Sequence, residues 1–247
     1  IAAVPAVGEA MAVKVVTLYN DNAGTGVPTH QAVIMVFDIV NGTPLAVMDG
    51  RLITEMRTAA ASAAAVRALA VESPEVVTIM GSGVQARAHA EALATVRPVG
   101  EVRLWSRTET SGYDAAADIG ATFFADAEQA VRDADIVVCA TSAKEPVLLG
   151  DWVKPGAFVV SVGWNGHDGR ELDDTAMDNI VLVEEIETAR NQAGNIRGSD
   201  CEIFAEIGEI FTGRKTVPKA ATVIYDSVGV AILDVSAAKL AYDLLTA

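Results

Sequence analysis

The chain is poor in cysteine, histidine, aromatic residues and positive charge. Cys139 and Cys201 are the only two cysteines in 247 residues, too few for a disulfide scaffold and consistent with a reducing compartment. Three histidines and no clustered cysteines offer no metal-ligand spacing, so no metal is expected. Lys and Arg total 18 against 33 Asp and Glu, a formal charge of −15. A nucleic-acid binder neutralises phosphates with a basic footprint, and this balance excludes one. No apolar run approaches the ~20 residues of a membrane span. The alanine-rich stretch from Thr58 to Ala70 is interrupted by Arg67. Only 8 prolines among 51% apolar residues exclude a disordered chain. No leader pattern is visible, so a cytoplasmic protein without membrane or nucleic-acid partners is expected.

What the chain does have is strand and helix patterning. Val13–Leu18 and Ala32–Phe37 are β-branched runs, Asn41-Gly42 is a turn, and Pro44–Met48 reads as the returning strand of a hairpin. Helix formers dominate from Leu52 to Ala70, and Glu72-Ser73-Pro74 closes that helix. Beyond Pro74 apolar strands alternate with helices. The strands are Val76–Met80, Glu101–Trp105, Thr122–Phe124, Ile136–Ala140, Ala157–Val162 and Ile180–Val183. Helices are expected from Gly83 to about Val96, over Asp114–Gly120 and Asp126–Asp133, and over Val228–Leu245. Near-continuous Val/Ile strands joined by helices imply a parallel sheet covered on both faces. The fold class expected is therefore α/β: a Rossmann-type doubly wound parallel sheet plus a smaller strand-rich domain for substrate and dimerisation. The boundaries expected are 1–56 for the smaller domain, 57–224 for the nucleotide-binding domain, and 225–247 for a helix returning to the first.

Gly81-x-Gly83-x-x-Ala86 follows a strand and opens a helix, where a dinucleotide fingerprint belongs. The first glycine allows the tight turn, the second lets a pyrophosphate approach the backbone, and the small third residue lets helix and sheet pack closely. The helix N-terminus supplies N–H donors and partial positive charge. An ordinary glycine turn is the competing reading. At the tip of the second strand stand Ser106-Arg107-Thr108, with no carboxylate for a ribose 2′-hydroxyl. An arginine there pairs with a 2′-phosphate, so NADP(H) is expected, with NADH as a second possibility. A solvated surface charge is the alternative for Arg107.

Several segments together resemble the ornithine cyclodeaminase/mu-crystallin family, and its mu-crystallin (ketimine reductase) branch in particular. They include Lys14-Val15-Val16-Thr17, His30-Gln31-Ala32, Ala46-Val47-Met48-Asp49-Gly50, Arg57-Thr58-Ala59-Ala60, Gly81-Ser82-Gly83-Val84-Gln85-Ala86, Arg170-Glu171-Leu172-Asp173-Asp174, the run from Glu202 to Glu209, and Asp226-Ser227-Val228-Gly229. The resemblance runs along essentially the whole chain, in family order. It implies an N-terminally truncated member, with a substrate-domain segment that carries an arginine missing before Ile1. It also implies a homodimer built on the smaller domain. Lys14 and Arg57 would hold a substrate carboxylate, Thr58 and Gln85 would lie near the cofactor phosphates, and Ser227 near the nicotinamide carboxamide. Val84, Ser106, Thr108, Thr141 and Gly163 complete the expected cofactor-binding set.

One departure redirects the chemistry. Where cyclodeaminases of the family carry an acid/base aspartate, this chain has Asn165, and a carboxamide exchanges no proton in the useful range. His167 and Asp168 stand nearby as substitutes. Reduction of a protonated C=N asks only for a positioned hydride donor and a carboxylate clamp, with Asn165 hydrogen-bonding the nitrogen. The expected activity is thus NADPH-dependent reduction of a cyclic ketimine or other α-imino acid to the L-amino acid. The alternatives are cyclodeamination or alanine-dehydrogenase-like deamination, and non-catalytic binding of NADP or a small molecule. His30 is open between a proton-transfer role and simple packing. Glu206 and Glu209 read as a solvated helix face.

Overall fold

The computed structural model describes residues 2–3, 10–22, 24–163 and 169–247. It divides into two compact units: Ile1–Thr58 with Gly229–Ala247, and Ala59–Val228.

In the first unit the strands β1 (Ala2–Ala3), β2 (Met11–Leu18), β3 (His30–Phe37) and β4 (Pro44–Asp49) form an antiparallel sheet in that order. The β3–β4 turn closes on Asp38, whose carboxylate accepts from the N–H of Val40 and Asn41, while Gly42 takes φ +75. Strand periodicity sorts the side chains. Ala32, Ile34 and Val36 are buried, whereas Gln31, Val33 and Met35 are exposed. Register places Lys14 opposite Ile34 and Ile34 opposite Met48, so Lys14 shares the inward face of the sheet. The core of this unit joins Ala10, Ala12, Ile34 and Val36 to Val235 and Ala238. Those last two lie on the C-terminal helix, here named α9 (Ala231–Thr246). Helix α1 (Gly50–Leu69) follows β4 directly. Gly50 is buried where a Cβ would stand 2.9 Å from that of Ala32, so only glycine lets the helix start this close to the sheet.

The second unit holds β5 (Val76–Met80), β6 (Glu101–Trp105), β7 (Thr122–Phe124), β8 (Ile136–Cys139), β9 (Phe158–Ser161), β10 (Ile180–Val183), β11 (Ile203–Glu206) and β12 (Val223–Asp226). All pairs are parallel, in the order β11-β10-β12-β9-β8-β5-β6-β7. The helices are α2 (Val84–Val96), α3 (Glu109–Ile119), α4 (Ala127–Val131), α5 (Asp174–Met177), α6 (Ile186–Gln192), α7 (Gly194–Arg197) and α8 (Ile207–Phe211). One apolar cluster packs around Ile79, Val138, Val160 and Tyr225, and a second around Met80, Val137, Val159 and Ile224. Adjacent residues of one strand thus feed opposite faces, as a sheet covered on both sides requires. The chain thus has the expected doubly wound α/β fold and, in its first unit, a smaller antiparallel sheet.

Three details differ from the sequence reading. β12 lies between β9 and β10 and pairs through Asp226, so a boundary at 224 would cut a buried strand; the division falls after Val228. Helix α3 starts at Glu109, five residues before the expected start. Ser111 and Gly112 disguise it, but Gly112 is there for packing, since a Cβ would meet the Phe123 ring at 2.3 Å. Glu206 and Glu209 do not form a solvated face: they make a reciprocal capping box at the start of α8.

Candidate functional site

Each unit carries a cluster of candidate functional residues, and the second is described first. In the second, β5 runs into Gly81, which takes φ +122. A Cβ at that position would stand 2.5 Å from the Ala140 carbonyl oxygen, so glycine is required. Gly83 is the extended N-cap of the 13-residue helix α2 and makes no side-chain cap. Nothing lies within 4 Å of where its Cβ would be. The start of α2 is thus open at Gly83 and has no side-chain cap, which fits a dinucleotide pyrophosphate. Val84 is exposed at the first helical position, Ala86 is fully buried against the sheet, and the buried Gln85 Oε1 has no partner among the described residues.

Beside this turn is a group of hydroxyls. Ser82 Oγ lies 2.9 Å from both Ser106 Oγ and Ser111 Oγ. Arg107 is exposed at the tip of β6, and Thr108 is the N-cap of α3 with no side-chain cap bond. Arg87, which the sequence reading passed over, donates from Nη1 to the Ser82 carbonyl at 2.7 Å and pairs with Asp118. It staples the turn while Arg107 stays exposed.

On the other side of β5, the ends of β8 and β9 converge on one buried carboxylate. Glu171 Oε1 accepts from Thr141 N and Thr141 Oγ1 at 2.6 Å each, and Oε2 accepts from Ser161 Oγ at 2.8 Å and Gly163 N at 2.9 Å. Burial pushes this carboxyl up, and those hydrogen bonds oppose the shift. A Cβ on Gly163 would stand 2.4 Å from the Glu171 carboxyl carbon. Two expected cofactor positions, Thr141 and Gly163, thus share one tether. Asn195 extends the network, donating to Ser161 Oγ at 2.9 Å and to Asp226 Oδ1 at 3.2 Å, and accepting from the backbone N–H of Glu171 and Leu172. Ser227 donates its hydroxyl to Glu184. Glu171 and Asn195 carry no local sequence signal, because their partners come from strands far apart in the chain. Asn165, with His167 and Asp168, lies outside the described residues.

In the first unit, Lys14 Nζ and Arg57 Nε both donate to Asp234 Oδ1, each at 2.9 Å. The three side chains are 10–14% exposed, so neither cation is the solvated charge that its strand or helix position alone would imply. Burial lowers the Lys14 pKa, with the Asp234 hydrogen bond and charge opposing. Arg57 Nη1 is buried without a partner among the described residues. Gly229, at φ +77, lets the guanidinium lie where a Cβ would be 2.5 Å from Nη1. His30 is held below its ordinary pKa, first by burial and then by the charges of Lys14 and Arg57. Thr58 is buried and donates its hydroxyl to the Thr54 carbonyl at 2.6 Å. Asp234 gives no local signal as a site residue, because its partners Lys14 and Arg57 lie 220 and 177 residues away in the chain.

The family model for the ornithine cyclodeaminase/mu-crystallin family matches residues 1–247. The chain belongs to this family. The ketimine reductase mu-crystallin of Mus musculus is 41% identical over 238 residues, covering 95% of this chain and 76% of the relative. Among solved structures, the Δ1-pyrroline-2-carboxylate reductase of Thermococcus litoralis, in complex with NADH and L-proline, matches with a TM-score of 0.89 and 36% identity over 96% of this chain and 78% of that one. An archaeal alanine dehydrogenase dimer with bound NAD matches at 0.87 and 31%, over 95% and 77%. Membership of the ornithine cyclodeaminase/mu-crystallin family accounts for the NAD(P)-binding fold. Among the described residues no three His, Cys, Asp or Glu side chains form a metal-binding group, and no helix is long and apolar enough to cross a membrane.

Proposed function

We propose that the chain is an NADPH-dependent reductase of cyclic ketimines or other α-imino acids, forming the corresponding L-amino acid, with NADH as a weaker cofactor. The observation that carries this reading is the buried Lys14–Arg57 pair, fixed by Asp234 with one guanidinium donor left over. Such a donor is satisfied by an anion. The mouse relative is named a ketimine reductase and the Thermococcus litoralis relative a pyrroline-2-carboxylate reductase, and both names describe reduction of a C=N bond. Alanine dehydrogenase and cyclodeaminase chemistry on the same scaffold are the competing outcomes.

When bound, a dihydronicotinamide supplies the hydride. The residues of the chain hold the reactants. Arg57 grips the substrate carboxylate through its Nη1 edge, because Nε is engaged by Asp234, and Lys14 adds a point charge. A protonated imine is already electrophilic, so orientation rather than a strong general acid is the main demand. In the other unit, Gly81, Gly83 and the start of α2 hold the pyrophosphate, with Val84 and Gln85 beside it. Ser106, Arg107 and Thr108 read the 2′-phosphate, and Thr141, Gly163 and Ser227 line the nicotinamide half.

A homodimer and a cytoplasmic location belong to the same reading. The outward face of the first unit's sheet carries Val15 paired with Val33, and Met35 paired with Val47. They are 56%, 47%, 36% and 71% exposed. A second copy laid on this apolar face would remove it from water. Cys139 and Cys201 are unpaired thiols, as in a reducing compartment.

The test is consumption of NADPH with pyrroline-2-carboxylate or piperideine-2-carboxylate, compared with ammonia release from ornithine. Imine-dependent NADPH oxidation supports the proposal. Ammonia release without net cofactor turnover overturns it.

A further inference from the structure

We propose that Asp226 is a charge-sensing residue of the cofactor site: it carries a proton beside the reduced nicotinamide and gives it up when the cofactor is in the cationic, oxidised form. This rests on the dinucleotide-binding reading above, and deepens it.

The argument begins with burial. Asp226 is 3% exposed, at the carboxyl end of β12 in the interior of the parallel sheet. In an open parallel sheet, ligands bind outside the carboxyl ends of the strands, at the point where strand order reverses. Here that point is β5, with β6 and β7 on one side and β8, β9 and β12 on the other. The hydroxyls and Arg107 lie on the β6 side, which leaves the ends of β8, β9 and β12 for the nicotinamide half. Asp226 is opposite Ser161 in register and immediately precedes Ser227, whose N–H donates to the Ser161 carbonyl at 2.8 Å.

The hydrogen bonding of this carboxyl is unbalanced. Oδ1 accepts one bond, from Asn195 Nδ2 at 3.2 Å, and Oδ2 is buried with no partner among the described residues. Glu171, by contrast, accepts four. A buried carboxylate with one neutral donor is poorly compensated. The ionisable groups acting on it, Glu171 and Glu184, are both acids and worsen the imbalance. Ser161 and Asn195 are neutral, and the Cys139 and Cys201 thiols, both raised first by burial and further by Asp226, are neutral as well. Together these push the Asp226 carboxyl up to about 7. What would balance its charge is a cation arriving at the strand ends. Loss of a hydride leaves the nicotinamide ring with one positive charge, so hydride donation creates that cation.

The balance is complete. The C4–H bond of the dihydronicotinamide breaks and a C–H bond forms on the imine carbon, the ring is oxidised and the imine reduced. The proton leaving Asp226 offsets the one the product nitrogen takes up. Protonated Asp226 disfavours the oxidised cofactor, and ionised Asp226 favours it.

The test is titration of the wild-type protein with NADP+ and with NADPH across pH 6 to 8, followed by protein fluorescence, with an indicator dye reporting proton release. NADP+ is expected to bind more tightly as pH rises, by about tenfold over this range, and to release protons near pH 7. NADPH binding is expected to be flat. In Asp226→Asn, whose amide can occupy the same space, both the slope and the proton release disappear, while Glu184→Gln retains them. If neither cofactor binds, the dinucleotide reading fails and this inference fails with it. If both bind and the NADP+ to NADPH affinity ratio of the wild type is independent of pH, or is unchanged in Asp226→Asn, only this inference is overturned. Should Asp226→Asn not fold, the wild-type proton release decides the matter by itself.

Discussion

Arg57 Nε and Lys14 Nζ share a single oxygen, Oδ1 of Asp234, and the two cations are therefore held at a fixed separation before any ligand arrives. An arginine engaged through Nε keeps its Nη1 edge for a second anion, and here Nη1 is the buried donor left without a partner among the described residues.

Replacing Arg57 with alanine removes the carboxylate grip and leaves the nucleotide turn untouched. We expect kcat/KM to fall by roughly 100-fold or more, the scale of a lost charge-assisted bidentate contact, with NADPH affinity nearly kept. Steady-state kinetics and cofactor titration check this. Unchanged turnover would remove the clamp.

Asp234→Ala leaves two buried cations without their shared counter-ion. Breaking a buried pair in this way costs about 3–5 kcal/mol, so thermal unfolding should shift down by several degrees. Asp234→Glu should recover part of the stability and less of the KM, because the longer side chain displaces Oδ1 from between the two donors.

Gly229→Ala tests the close approach to Arg57. A left-handed φ of +77 and a Cβ only 2.5 Å from Nη1 both oppose the substitution. The expected result is a higher KM for the imino acid, together with a stability loss of about 1–2 kcal/mol, measurable by denaturant unfolding.

Arg107→Ala should weaken NADPH by at least about tenfold and leave NADH nearly unchanged, since only the former carries the phosphate that a guanidinium pairs with. Equal losses for both cofactors would remove Arg107 from that role.

Two buried groups give opposite pH dependences of stability. His89, hydrogen-bonded to the Gln85 carbonyl and to Ser62, is lowered by burial from 6.5 to about 4. Its folded value is depressed, so the unfolded chain binds more protons. Its contribution is present above about pH 6.5 and is lost as pH falls toward 4, at most about 3 kcal/mol. Asp226 is raised from 3.8 to about 7, so its favourable contribution is fully present below 3.8 and is lost progressively as pH rises to about 7. His89→Gln should remove a rise in stability with pH between about 4 and 6.5, and Asp226→Asn should remove a fall between 3.8 and about 7, so the two variants tilt the same stretch of a stability–pH curve in opposite directions.

The alternation of strands and helices after Pro74, the glycine turn at Gly81 and the missing carboxylate after Trp105 were legible because each is local: a few adjacent residues carry the period, the turn or the charge. β11 and β12 were not. They are four-residue strands, and β12 gains its place between β9 and β10 only by pairing with strands that precede it. The pairing of Lys14 with Asp234, 220 residues apart, and of Glu171 with Thr141 and Gly163 was hidden for the same reason.

The sequence by itself determined the α/β class, the glycine turn after β5 and the candidate cations, since backbone propensity, side-chain period and residue chemistry act over short spans. Only the tertiary structure decided which carboxylate holds those cations, which strand ends share Glu171, and that Asp226 is buried with an oxygen unmatched among the described residues. Burial and hydrogen-bond partnership depend on groups brought together from distant parts of the chain, and no local pattern encodes them.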